Sequence, residues 1–485
     1  MKKIAFALAF AAFVSCSSIE DDPVSSSSSD GNDNGDSSSS FGGGGTSGGG
    51  DGNSSSSGGS TGGNSSSDGS GSGGNSSSGG TPANPWSGWP FQDSSGEDLP
   101  AEPNCPDPGE VVEITYNNGG AEVINPDEGG VSVTKNGENV VVTLLEGAER
   151  NLRVSGTAQN GSLKVYGGNS QVVLYLNGVN IKNNSGPALN FQKGKKVTVC
   201  LVSGKENYLD GASALPQGEE QAKGAFFSEE KLYFTGNGSL EVKARQGNPA
   251  VSGHAIVVDN NFEIDNGRIT IREAEGDGIH VNEKIEIKGG VIKIASKGDA
   301  IQSEKPDYPV IISGGKIVAQ TTGIKSHGIT SDGTIKIENN AIVQIRVLGN
   351  GSKGIKSYYS TDILGGTISI RASGDRDQND ADTSTAAGIK VGPGGGTKDD
   401  NLYIEGGTVT IQSTGSKAKG ININKDVEMN NGNVTITAND DGIKVRGILK
   451  MRGGSITVSS QNKDVIDGTV AQTGGTINGE SNWRK

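Results

Sequence analysis

Cysteine and histidine are scarce, three of each in 485 residues, and no two cysteines form a CxxC pair. A structural zinc site needs four such ligands at close spacing, so the scarcity argues against one. Long apolar runs are missing too. The longest, Ile4 to Val14, has eleven residues and is too short to cross a bilayer as a helix. No segment sustains a helical period, which excludes helical bundles and coiled coils. Positive charge is in deficit, 42 Lys and Arg against 56 Asp and Glu, for a net charge of −14. That balance argues against nucleic acid as a partner, and an acidic polymer would need a bridging cation.

What is present divides the chain into four parts. Lys2 and Lys3, the apolar run and a small residue before Cys16 read as an export signal over residues 1–15. The segment resembles a bacterial lipoprotein signal, with Cys16 as the lipidation site; an ordinary secretory signal is the competing reading. Ser17 after the cysteine fits sorting to the outer membrane of a Gram-negative cell. The expected location is therefore exported and lipid-anchored at the cell surface, where acyl chains alone contact the membrane. Residues 16–82 are almost entirely Ser, Gly, Asn and Asp, which cannot bury enough apolar surface to fold. They form a tether with a typical reach of about 45 Å. Residues 83–110 are a Pro-rich neck with Trp86, Trp89 and Phe91, whose rings either stack on sugars or pack against the domain. Residues 111–485 form the folded domain. Cys105 and Cys200 either pair in an oxidising compartment or leave Cys200, in VTVCLV, as a buried thiol.

The domain is written in repeats. GDGIHV at 276–281 returns as GDAIQS, KGIKSY, AGIKVG, KGININ and DDGIKV, several of them at a step of 22 residues. A second marker runs in phase: Gly-Gly or Asn-Gly followed by alternating β-branched residues, as in NGRITI, GGVIKI, GGTISI and GGSITV. A third short strand lies between them, as in KIEIKGG. Three strands of period two in each repeat, with no unit able to bury its own apolar face, predict a stack of turns. The fold class is all-β, a right-handed parallel β-helix (pectin-lyase-like) with three short strands per turn and successive turns about 4.8 Å apart. Ile279, Val281, Ile301, Ile355, Ile389 and Ile443 should form an interior ladder, with the glycine before each isoleucine making a corner. Stretches 317–354, 371–387 and 392–401 exceed one turn and are expected to bulge as loops.

LYLNGVNIKNNSGPAL (174–189), KVTVCLVSGKENYLDG (196–211) and GAFFSEEKLYFTGNGSLEV (224–242), followed by the DGI and KGI units, resemble a family of bacterial carbohydrate-binding β-helix domains described from cellulolytic clostridia. The resemblance spans about residues 131–477. It implies a pectate-lyase-like fold on a surface protein, calcium binding, and association with cellulose and pectic polysaccharide.

The residues themselves point to two sites. Asp277 and Asp299 are one period apart and should stack as like charges, which a calcium ion would relieve; Asn282 and Glu304 add oxygens from the next column. Asp441 occupies the same corner later in the coil, opposite Lys463 at a strict 22-residue step. The bland alternative is that each Asp simply makes its turn. Asp375, Asp377, Asp380 and Asp382 match no calcium-loop spacing and read as a solvated acidic loop. The second site is a stripe after the Gly-Ile pair: Lys356, Lys390 and Lys444 with Asn422 among them, and Tyr358 and Tyr359 nearby. These can donate to hydroxyls and uronates and stack on sugar faces; the competing reading is a ladder of lysines that neutralises corner acids and discourages edge association. Three functions fit: a non-catalytic, calcium-containing binder of plant cell-wall polysaccharide, a calcium-dependent pectate lyase with Lys356 or Lys390 as base, and an adhesin or structural surface protein.

Overall fold

The computed structural model describes residues 104–479, apart from 146, 148, 216–219, 221, 379–383 and 393–398. The export signal with Cys16, the tether, Trp86, Trp89, Phe91, Asp380 and Asp382 lie outside the described residues. Strands make up all the regular secondary structure among those described.

From Glu149 onward the strands pair in parallel with the turns before and after, forming three ladders of one parallel β-helix. The first carries Ile256, Ile279, Ile301, Ile329, Ile355, Ile389, Ile421, Ile443 and Ile466 in successive register. The second consists of triplets such as Ile285–Ile287 and Val310–Ile312. The third holds the Gly-Gly units, with Ile292, Ile317, Val343 and Ile368 in line. Inward positions of all three are aliphatic and buried, which is why β-branched residues recur at alternate sites. Nearer the N-terminus the interior is filled by Phe191, Phe226, Phe234 and Phe262, with neighbouring ring centroids 5.7–6.1 Å apart.

Two antiparallel hairpins, Val112–Asn117 with Ala121–Ile124 and Val131–Asn136 with Asn139–Leu144, begin the domain. Residues 104–110 are held against the coil. Cys105 is disulfide-bonded to Cys200, Tyr175 donates to the Pro106 carbonyl at 3.1 Å, and Asn151 donates to that of Pro108 at 2.6 Å. The pairing is thus settled, and the cross-linked segment belongs to the folded unit.

Three expectations need correction. Residues 317–354 are not a loop: Lys316–Thr321, Ile329–Ser331, Ile335–Ile337 and Ile342–Val347 are full members of the ladders. The unit HGITS at 327–331 was missed because a histidine stands where other copies have an acid or lysine. The glycine before each isoleucine does not make the corner. A Cβ on Gly278 would sit 2.5 Å from Ile294 Cγ2, and one on Gly354 would collide with Ile370 Cγ2, so these glycines admit a side chain from the third ladder. The left-handed turn belongs to the second Gly of each Gly-Gly pair, for example Gly290 at φ +78° and Gly366 at φ +80°. Finally, Ile443 pairs with Ile466, one residue beyond the 22-residue step.

Candidate functional site: two polar rows beside the isoleucine ladder

Register in the first ladder turns the repeats into rows. Two residues before each isoleucine lies a corner row that includes His254, Asp277, Asp299, His327, Lys353, Lys419 and Asp441. One residue after it lies an outward row: His280, Gln302, Thr330, Lys356, Lys390, Asn422, Lys444 and Asp467.

The corner row is largely buried and internally paired. Asp277 Oδ2 lies 3.1 Å from His254 Nδ1 and 2.9 Å from His280 Nδ1, while Oδ1 accepts the Asp299 N–H at 2.7 Å. Burial works against the Asp277 carboxylate, but the facing imidazoles outweigh it and hold its pKa well below the usual range. Burial also opposes the His280 cation; hydrogen bonds to Asp277 and to Glu304, whose Oε1 is 3.1 Å from Nε2, lift it to about 10. Asp299, buried and next to the Asp277 charge, is shifted upward. Its Oδ1 accepts the His327 N–H at 2.5 Å. His327 is held well below its ordinary pKa by burial and by Lys356, Lys353 and Lys325.

Calcium takes six to eight oxygen ligands. Both Asp277 oxygens face protein donors, Asp299 Oδ1 is occupied, and Glu304 reaches His280. Asn282 donates to Asp259 Oδ1 at 3.1 Å, in a different row from Asp277 and Asp299. Asp441 does form an ion pair, but with Lys419 at 2.7 Å, one turn earlier, rather than with Lys463. Lys419 also contacts Asp440. These five residues therefore do not fit an oxygen cage at the corner. The acidic loop is likewise tied down: Asp375 Oδ1 accepts the Ser416 N–H at 2.5 Å, and Asp377 is buried.

The outward row is assembled as its spacing predicts. Lys356 pairs in register with Lys390, Lys390 with Asn422, and Asn422 with Lys444. Lys356 Nζ lies 4.8 Å from the Tyr358 ring centroid, a cation–π contact that occupies part of that ring; Tyr359 is half-buried beside it. Lys390 donates to Asn424 Oδ1 at 2.6 Å. Burial, reinforced by Arg446 and Lys356, pulls its pKa down to about 7. Lys444 bonds Asp467 at 2.6 Å, which raises its pKa. Lys444, Arg446, Asp467 and Gly468 line an open concavity of about 450 Å³.

Sequence reasoning missed His254, His280, Lys419, Asn424 and Arg446. The signal for His254 was present, since HAIVV (254–258) is a copy of the corner unit one turn before GDGIHV.

The fold is thus a parallel β-helix whose first ladder carries Lys356, Lys390, Asn422 and Lys444 on successive turns. The chain belongs to the family of carbohydrate-binding domain-containing proteins, whose family model matches residues 128–415 and 393–482. A carbohydrate-binding domain-containing protein from Acetivibrio thermocellus is 31% identical over 123 residues, 24% of this chain. The match spans 41% of that relative's length. A solved structure, described as the polysaccharide lyase-like protein from C. thermocellum in a gadolinium derivative, shares 19% identity at a TM-score of 0.31, covering 77% of this chain and 98% of that one.

Proposed function

We propose that the protein is a non-catalytic binder of plant cell-wall polysaccharide, anchored at the bacterial surface through Cys16, with the sugar chain lying along the outward row. The observation that carries this reading is the register of Lys356, Lys390, Asn422 and Lys444 on consecutive turns. Donors repeating about every 4.8 Å can meet successive units of an extended glycan, and a cationic run suits uronate carboxylates. The rest of the molecule is acidic, so a polyuronate would gain from added calcium as a bridge, whereas cellulose would not.

A second reading rests on Lys390. An amine shifted to about 7 matches what a general base needs near neutral pH, and β-elimination from a uronate requires such a base. One experiment tests both. The purified protein is incubated with cellulose and with polygalacturonate, with and without calcium, and bound protein is measured alongside the ultraviolet absorbance of unsaturated product. Retention without product supports the binder. Product that vanishes in Lys390→Ala makes the protein a lyase, and failure to bind either polymer leaves the adhesin reading.

A further inference from the structure

We propose that Arg446 is a specificity-determining residue of the polymer-binding surface, a guanidinium that takes a free carboxylate of the bound chain and so selects a polyuronate over its ester or a neutral glycan. The inference rests on the polysaccharide reading above.

Register puts Arg446 beside the lysine row but in a row of its own. Val391 pairs with Ile423 and Ile423 with Val445, so the residues that follow them, Gly392, Asn424 and Arg446, occupy three successive turns next to Lys390, Asn422 and Lys444. A Cβ on Gly392 would lie 2.7 Å from Asn424 Nδ2, so the Asn424 amide packs over that glycine and turns its Oδ1 to Lys390. One turn further on, Arg446 is exposed in the wall of the concavity of about 450 Å³, where Thr469 offers a hydroxyl as well.

The acids nearest in sequence and register are committed elsewhere. Asp467 bonds Lys444 at 2.6 Å, and Asp426 holds Lys450 at 2.6 Å and accepts the Ile448 N–H at 2.8 Å. Among the described residues Arg446 itself makes no hydrogen bond or ion pair. The lysines of the neighbouring row are engaged: Lys356 with the Tyr358 ring, Lys390 with Asn424 and Lys444 with Asp467. Arg446 therefore keeps its donors for a ligand. Burial and then the Arg446 charge oppose protonation of Lys390, and an anion seated at Arg446 would relieve the second of these.

The chemistry of the two cation types differs in what it can read. A guanidinium holds five N–H donors in a planar fork that meets both oxygens of one carboxylate, whereas an ammonium acts as a point charge. Methyl esterification removes the charge and caps one of those oxygens, and a neutral glycan offers hydroxyls alone. The fork tells these polymers apart; a lysine row responds to charge.

The test is affinity electrophoresis of the purified protein and its Arg446→Gln and Arg446→Lys variants in gels containing polygalacturonate, its methyl ester, hydroxyethylcellulose or dextran sulfate. Because Arg446 is exposed and unpaired, both variants should fold. Lys463→Gln, which removes the same charge at another exposed position, is the control. On polygalacturonate, Arg446→Gln should bind about 10-fold more weakly. Arg446→Lys should remain clearly weaker than the parent, because the charge returns without the fork, and Lys463→Gln should match the parent. The ester and hydroxyethylcellulose should not distinguish the Arg446 variants from the parent. Full recovery in Arg446→Lys, an equal loss in Lys463→Gln, or equal retention of the parent by polygalacturonate and by the ester or dextran sulfate overturns the subsite. A parent that holds hydroxyethylcellulose but not polygalacturonate overturns the subsite alone, and a parent held by none of the polymers overturns the polysaccharide reading with it.

Discussion

Lys356 and Lys390 are register partners on adjacent turns, so two like-charged side chains stand one strand apart on the outer surface of the coil. Lys356 is partly accommodated by the Tyr358 ring. Lys390 donates to Asn424 Oδ1 at 2.6 Å, and its charge is opposed by burial and by Arg446. A polymer carrying carboxylates would neutralise this accumulation of charge, so the strained pair falls within the proposed binding row.

The strain predicts a pH signature. The pKa of Lys390 falls from 10.5 to about 7 on folding. Between those values the unfolded chain holds more protons, so this residue's contribution to stability rises with pH through that window, and its full cost is present below it. Lys390→Met should therefore stabilise the protein at pH 6 by about 2 kcal/mol and change little at pH 10. Urea unfolding at both pH values checks this, and an equal effect at the two would mean that the lysine is not charged at a cost in the fold.

Lys419 presents the opposite case. It is 8% exposed and held by both Asp440 and Asp441. Removing one partner of a buried ionic group strands the others, at a typical cost of about 3–5 kcal/mol. Lys419→Met should approach that loss, while Lys463→Met, at an exposed position, should stay within about 0.5 kcal/mol of the parent. Similar melting temperatures for the two variants would contradict the pairing.

Much of the coil was readable because each turn repeats the same steric demands. The alternating triplets and Gly-Gly turns have direct structural causes, and the lysine row follows from a constant offset after isoleucine. The corner row was less legible. Its spacing varies from turn to turn, as the 28 residues between register partners Ile301 and Ile329 illustrate; a step of 22 taken forward from Asp441 reached Lys463, where the register step is 23, while the true partner Lys419 lies 22 residues back. Two histidines were discounted because they are few; folding brings His254 and His280 onto one carboxylate across a turn boundary, and composition carries no trace of that.

The glycines before the isoleucines make a further prediction. Gly354→Ala places its Cβ against Ile370 Cγ2 and near the Gly388 carbonyl, so it should cost about 1–3 kcal/mol in urea unfolding. In an Ile370→Ala background, which lacks that Cγ2, the same glycine substitution should cost less. Simple additivity of the two substitutions would place the strain elsewhere.

Reduction of the Cys105–Cys200 disulfide opens a loop spanning 95 residues of sequence. Loop entropy assigns such a cross-link about 4 kcal/mol, so Cys105→Ser should lower the urea midpoint clearly, and reductant should then have no further effect. A parent protein insensitive to reductant would mean that the neck contacts through Pro106 and Pro108 suffice.

The polysaccharide surface can be mapped by single substitutions read against salt. Lys356→Ala and Lys444→Ala should each weaken polygalacturonate binding about 10-fold, the worth of one hydrogen bond to a charged group. Asn422→Ala and Tyr358→Ala should cost less, because an amide contact carries no charge and the Tyr358 ring already shares a face with Lys356. If the lysines meet uronates, affinity for polygalacturonate should fall as salt rises and the slope should flatten in the lysine variants. Cellulose has no charge to screen, so its binding should be indifferent to salt and depend more on Tyr358 than on Lys444. Affinity electrophoresis on the two polymers separates these patterns. Undiminished binding after loss of Lys356, Asn422 and Lys444 together would move the ligand to another face of the coil, and the outward row would then be only a means of keeping neighbouring turns and molecules apart.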